Sequence, residues 1–201
     1  MLVWYILLGV NLTMFLLVGT QYMRHLRLQE GIAQKVLRFH VLANSDSRED
    51  QALKLAVRDA VGERMAELLG GVESRAECEQ VVERHLEEIE RTAEAVLAEN
   101  GCSYEVHASL GETDFPAKTY GSYTFPAGTY EALNVVIGDG AGHNWWCVMY
   151  PNMCFSGSVY EVVDDAAGEA LRQTLDEEEY RAVFSSGNYE VRFKYLSFLL
   201  D

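Results

Sequence analysis

The sequence predicts one α+β domain, in which a mixed or antiparallel sheet is covered by an αα-hairpin, behind an apolar N-terminal segment. Three observations predict this fold. Residues 1–21 carry no charged side chain, two long segments between residues 47 and 100 repeat apolar residues every three or four positions, and several shorter segments alternate apolar and polar residues. We therefore divide the chain into a signal peptide or membrane anchor (1–21), a tether (22–34) and a single domain (35–201).

The N-terminal segment supports two alternatives. Residues 2–18 are almost wholly apolar, which is long for the apolar part of a signal peptide and short for a membrane span. Arg24 and Arg27 follow it, and basic residues after a span favour a cytoplasmic location for the rest of the chain. No clear cleavage site follows, so cleaved signal and retained anchor both stay open.

The first half of the domain reads as a strand followed by two helices. Residues 35–43 alternate as a strand does, and Asn44, Asp46 and Ser47 form a turn that caps the next helix. That helix ends at two glycines, 70 and 71. A second helix starts at Ser74 and ends at residues 100–101, and the tight turn between them predicts the αα-hairpin.

The second half is rich in strands. Alternation predicts strands at residues 102–110, 119–125, 130–137 and 145–150, with a loop at 111–116, and the last two strands are expected to form a hairpin. A helix with an acidic outer face is predicted over 164–184 and a final strand over 189–199.

Composition limits the function. The formal net charge of −15 at pH 7 leaves no basic surface for nucleic acid. The histidines and cysteines lack the i,i+4 or Cys-x-x-Cys spacing of metal ligands, so we expect no metal and no cofactor. The glycines at 138, 140 and 142 lead into a strand instead of a helix, which favours a hairpin loop over a phosphate-binding loop.

The segment 138–155 is the best candidate for a functional surface, because it holds two of the three tryptophans and two of the four cysteines. Adjacent tryptophans in a strand point to opposite faces, so one is expected in the core and the other at a partner surface formed by Asn144, Trp145, Trp146 and Tyr150. Cys147 and Cys154 are close enough in sequence for a disulfide, although two buried free thiols fit equally well.

A catalytic alternative uses the same segment. His143 and a free cysteine could form an exported hydrolase that acts on cell wall or peptide, with Asp139 as a third group. A short ribbon gives such groups no cleft, so we expect no enzyme activity.

Several segments resemble the stage II sporulation protein R family. The resemblance covers about residues 35–155, with a fainter tail at 189–196, and lies in the segments 38–47, 49–54, 57–61, 118–121, 125–133 and 138–155, the last of which contains Asn144-Trp145-Trp146-Cys147-Val148.

The resemblance implies a non-enzymatic sporulation signal. Such a protein is made in the forespore, is exported to the space between the two septal membranes, and is required there by a membrane-embedded aspartic-type protease that matures an early sigma factor of the mother cell. The expected partner is therefore the extracytoplasmic part of that protease, and the expected membrane contact is through residues 1–21 alone.

Overall fold

The computed structural model describes residues 2–154 and 165–185 as one α+β domain with a long N-terminal helix. Its helices are α1 (Leu2–Lys35), α2 (Arg48–Leu68), α3 (Arg75–Arg84), α4 (Leu86–Glu99), α5 (Asp165–Thr174) and α6 (Glu177–Ser185). Its strands are β1 (Leu37–Leu42), β2 (Val106–Phe115), β3 (Lys118–Tyr120), β4 (Tyr123–Phe125), β5 (Gly128–Ile137) and β6 (Asn144–Tyr150). The predicted fold class is confirmed, and the predicted strand at 189–199 lies outside the described residues.

The main sheet has the strand order β2-β5-β1-β6. β1 is parallel to β5 and antiparallel to β6, while β2 and β5 pair antiparallel along ten residues each. The predicted hairpin between residues 130–137 and 145–150 is therefore wrong, because β1 lies between these two strands. The loop that joins them crosses the end of β1, where the amides of Ala141 and Gly142 donate to the carbonyls of Asn44 and Ala43.

One face of the sheet packs on α2, α3 and α4. The core on this side contains Phe39, Val57, Ile89 and Leu133, all without solvent exposure. The helix predicted over 74–100 is interrupted at His85, whose backbone (φ −115°, ψ 12°) is not helical. The His85 amide donates to Val82, and α4 restarts one residue later. The break turns the apolar faces of both short helices toward the same core.

The other face is partly covered by the end of α1, the β3–β4 hairpin, α5 and α6. Ile32, Val36, Phe125 and Leu171 are fully buried in this second core. Residues 22–34, which are predicted to be a tether, are helical and continuous with the apolar segment. The last turns of α1 therefore belong to the folded domain.

Three further boundaries differ from the prediction. β2 begins at Val106 and runs through the predicted loop at 111–116, since β5 offers hydrogen-bonding partners down to Gly128. The predicted strand at 119–125 is two short strands with a turn at Gly121, whose φ of +56° suits glycine. The predicted helix at 164–184 breaks before Asp176, because its carboxylate accepts the amides of Glu178 and Glu179 and starts α6.

Candidate functional site

The two adjacent tryptophans lie on opposite faces of β6, as the alternation of a strand requires. Trp145 faces the α2 side, where its ring is 5.3 Å from the Phe39 ring. Trp146 faces the other side and stacks on His40 with ring centroids 3.9 Å apart. Both side chains are half-buried, whereas the alternation predicted one tryptophan in the core and the other at a surface.

Trp146 belongs to a partly open area of the second sheet face, which we call the Trp146 face. The strand registers align Ser109, Asn134, His40 and Trp146 in one row across the four strands, and His107, Val136, Leu42 and Asn144 in the next row. All of these except His40 are half-exposed or exposed. Polar, aliphatic and aromatic groups share this surface, a composition typical of partner-binding sites.

Hydrogen bonds hold the middle of this face. Asn134 Oδ1 accepts from Thr113 Oγ1 at 2.9 Å and from His40 Nδ1 at 3.2 Å. The Phe115 ring closes one end, 4.5 Å from the ring of Trp146. The tryptophan is thus supported from below and from one side, which fixes its orientation before any partner binds.

His40 is neutral at physiological pH. Burial is the main cause that lowers its pKa to about 4, and it outweighs the hydrogen bonds with Asn134 and Asn144, which act in the opposite direction. The charge of nearby Arg38 lowers the pKa further. Because the imidazole is neutral, it can stack on the indole without placing a charge in a buried position.

Arg38 lies directly behind this face and has no solvent exposure. Its Nε donates to the Cys147 carbonyl at 2.9 Å, and one terminal nitrogen donates to the Tyr120 hydroxyl at 3.0 Å. The guanidinium also lies over the rings of Phe115 (4.4 Å) and Tyr130 (5.0 Å). Among the described residues, no carboxylate contacts this cation, so aromatic rings and neutral oxygens stabilise it.

The remaining predicted residues of β6 lie on the helix side. The Tyr150 hydroxyl donates to the Glu73 carbonyl at 2.8 Å. Cys147 and Cys154 are joined as a disulfide with Cα atoms 5.9 Å apart. Trp145, Arg58 and Cys154 line a shallow groove of about 310 Å³ beside α2. The four predicted contact residues are therefore divided between two faces: Asn144 and Trp146 lie on the Trp146 face, and Trp145 and Tyr150 lie on the helix side.

The predicted cap residues hold the turn after β1 against the loop after β5. The Ser47 hydroxyl accepts the Asp50 amide and caps α2. The Asn44 side chain donates to Asp50 and accepts the amide of Asp139, while Asp46 accepts the amide of His143. Close approach explains the glycines here: Gly138 has φ +56° and lies against Asn44.

Within the described residues of the segment 138–155, no histidine and free cysteine are arranged as the catalytic alternative requires. His143 is exposed and its Nδ1 contacts Asp46, whereas both cysteines of the ribbon are bonded to each other. Burial raises the pKa of the Cys78 thiol to about 12, which keeps it protonated. Over residues 2–154 and 165–185, no cluster of three or more histidine, cysteine or acidic side chains could hold a metal ion.

Sequence reasoning missed Arg38, His40 and Asn134 as parts of this site. The available signal was the placement of Arg38 and His40 two residues apart in a strand whose other residues are apolar. A strand buried on both faces normally excludes such side chains, so each of them indicates a specific environment.

Comparison with known proteins identifies the family of the chain. The model of the family described as Stage II sporulation protein R (spore_II_R) matches residues 33–160. The chain belongs to this family. A curated relative, the stage II sporulation protein R of Bacillus subtilis (strain 168), is 35% identical over 147 residues, which cover 73% of this chain and 62% of the relative. The chain therefore spans less than two thirds of that relative's length. No solved structure matches it.

The region matched by the stage II sporulation protein R model includes the whole main sheet and therefore every residue of the Trp146 face. The segments 38–47, 118–121, 125–133 and 138–155, which are far apart in sequence, supply Arg38, Tyr120, Tyr130 and Trp146 to adjoining positions. The apolar helix α1 precedes most of the matched region and is compatible with a signal or anchor segment.

Proposed function

We propose that this sporulation protein is an exported signal that activates a membrane-embedded aspartic-type protease, and that the protease then matures an early sigma factor of the mother cell. In this proposal the chain is made in the forespore and acts in the space between the septal membranes. Membership of the stage II sporulation protein R family supports the sporulation role. The acidic body and the apolar α1 are compatible with an exported protein that does not bind nucleic acid.

The Trp146 face is the proposed contact with the extracytoplasmic part of the protease. The observation that carries this assignment is a half-exposed tryptophan held rigidly on His40 and Phe115 within a mixed polar and apolar surface. Tryptophan is enriched among residues that dominate binding energy, and a rigid ring loses little entropy when a partner covers it. Trp145 is instead assigned to packing against Phe39 and Arg58.

A lysine placed at the edge of this face tests the assignment without removing core contacts. In the variant Ser109→Lys, a long charged side chain extends from β2 beside Asn134. We expect sigma-factor maturation to fall by about tenfold or more, since an unpaired charge that the partner has to cover costs at least about 1.4 kcal/mol. The measurement is an immunoblot of precursor and mature sigma factor in sporulating cells whose own copy is replaced by the variant.

Ser103→Lys is the matched control, because Ser103 is exposed in the segment before β2. This variant makes the same change of charge and volume away from the face. Export of both variants is checked by immunoblot of the extracytoplasmic fraction. If Ser109→Lys is exported normally and sigma-factor maturation is normal, the Trp146 face is not the contact surface. The signalling role itself requires that cells without the protein fail to mature the sigma factor and that the unchanged chain restores maturation.

A further inference from the structure

The apolar part of α1 is exposed to solvent along its whole length, so its side chains need an apolar environment outside the domain. Large apolar side chains from Val3 to Val18 have exposed fractions of 52–75%. As a helix, residues 3–21 span about 28 Å, which is close to the thickness of the hydrocarbon layer of a bilayer. A bilayer is the occupant that matches both the length and the absence of charge.

The other end of the same helix is built into the domain. Ile32 is fully buried in the second core, and Gln29 Nε2 donates to the Thr129 carbonyl at 3.2 Å. The Glu179 carboxylate lies against Gly31, so a Cβ at this position would displace it. Lys35 Nζ pairs with the same carboxylate at 2.5 Å. These contacts fix α1 against β5 and α6.

No break separates the two parts, because α1 is one helix from Leu2 to Lys35 without proline. The direction of the apolar part therefore sets the orientation of the domain. The helix N-terminus of α6 lies near the point where the apolar part ends: Glu178 pairs with Arg24 at 2.6 Å, and Arg24 is about 5 Å along the axis from Gln21.

We propose that α1 stays attached to the domain as a rigid membrane anchor and that it holds the α6 side of the domain against the lipid headgroups. A groove of about 790 Å³ lies between α1, from Phe15 to Leu28, and the acidic start of α6. The bilayer surface is thus a second partner of the domain, separate from the proposed protease contact.

The distribution of charge supports this orientation. The chain as a whole is strongly acidic and is repelled by anionic lipids. On the α1–α6 side, however, Arg24 pairs with Glu178, Arg181 with Glu177, and Lys35 with both Asp176 and Glu179, so three cations offset most of the charge of four carboxylates. Helix α4, in contrast, carries five glutamates and only one basic residue, Arg91, so its outer side stays net negative. Headgroups are therefore tolerated best at α6.

Site-specific photo-crosslinking tests the orientation directly. The full chain, with a photoreactive benzoylphenylalanine in place of one residue, is reconstituted into vesicles of phosphatidylethanolamine and phosphatidylglycerol that contain a tagged phosphatidylethanolamine. Tyr22 is the positive control at the end of the span, Glu177 reports α6, and Glu94 on α4 is the matched exposed control. We expect lipid labelling at Glu177 to exceed that at Glu94 at least about fivefold, since headgroup contact is short-ranged. Equal labelling at both positions overturns the proposal.

A flexible insertion distinguishes rigid positioning from an affinity of α6 for lipid. Insertion of Gly-Gly-Ser-Gly-Gly after Gln21 should reduce labelling at Glu177 to the level at Glu94 and leave Tyr22 unchanged. Persistent labelling at Glu177 in this variant contradicts the rigid anchor. Retention of α1 is tested by the mass of the chain recovered from sporulating membranes, and a chain that lacks the apolar part overturns the proposal. Sigma-factor maturation is a separate readout, so failure of the signalling role is recognised independently.

Discussion

His40 connects the buried core to the half-exposed Trp146 face, and its environment makes it sensitive to acid. In the folded protein its pKa is lowered to about 4, because burial disfavours the imidazolium and Arg38 repels it. In the unfolded chain the ordinary value of about 6.5 applies. As pH falls below about 6.5, the unfolded state binds a proton that the folded state rejects, so the free energy of unfolding decreases until the pH reaches about 4.

We expect this single group to remove up to about 3 kcal/mol of stability between pH 6.5 and 4, and nothing above pH 7. His40→Gln keeps a donor for Asn134 but does not titrate, so its stability should decline less over the same pH range. Urea denaturation at pH 7, 5.5 and 4.5 measures the difference. Parallel pH profiles for the two proteins would show that His40 does not carry this dependence.

At the same scale, Arg38 shows what local sequence patterns fail to disclose. Its place in an alternating strand predicted the strand correctly, but not the four rings that surround the guanidinium. Those rings come from residues 115–130, and their approach depends on the pairing of β2 with β5 and on the β3–β4 hairpin. Contacts between residues about 80 positions apart are decided by tertiary packing, which periodicity does not encode.

The prediction of elements succeeded where a segment carries its own start and stop signals. Ser47 caps α2 and Ser74 caps α3, each accepting an amide three residues later, as their spacing predicts. The predicted hairpin of β5 and β6 is wrong. It rests only on their closeness in sequence, whereas β1 lies between these two strands in the sheet. Strand order depends on long-range pairing, and a glycine-rich loop of that length can either turn back or cross a neighbouring strand.

The crossing loop is predicted to depend on Gly142. Its Cα lies against the Ser45 carbonyl so closely that a Cβ meets backbone, which cannot move aside as a flexible side chain would. Gly142→Ala should lower the free energy of unfolding by about 1–3 kcal/mol. Gly111→Ala is the matched control, because Gly111 lies in β2 with open space around it and the change should be neutral or stabilising by up to about 1 kcal/mol. Chemical denaturation of both variants gives the comparison, and equal stabilities would contradict the steric argument.

For the whole molecule, the largest revision concerns where the domain begins. The composition of residues 22–34 is polar and basic, which is typical of a tether, and the half-buried Gln29 and the buried Ile32 cannot be recognised without the surfaces that cover them. Helix α1 supplies those contacts to β5 and α6. The apolar part of α1 and the domain are thus joined by one continuous helix, and we expect the apolar part to be removed at a smaller cost in stability than the last turns.

Two truncations are expected to separate these parts. A chain that starts at Tyr22 keeps the ion pair between Arg24 and Glu178 and all contacts of Ile32, so it should unfold cooperatively. A chain that starts at Val36 loses Ile32 from the core and removes Lys35 from the Glu179 carboxylate. The loss of the Ile32 contacts alone should reach about 2 kcal/mol or more, a large fraction of the stability of a small domain. Thermal unfolding followed by circular dichroism compares the two chains, and equal midpoints would show that the end of α1 is a tether after all.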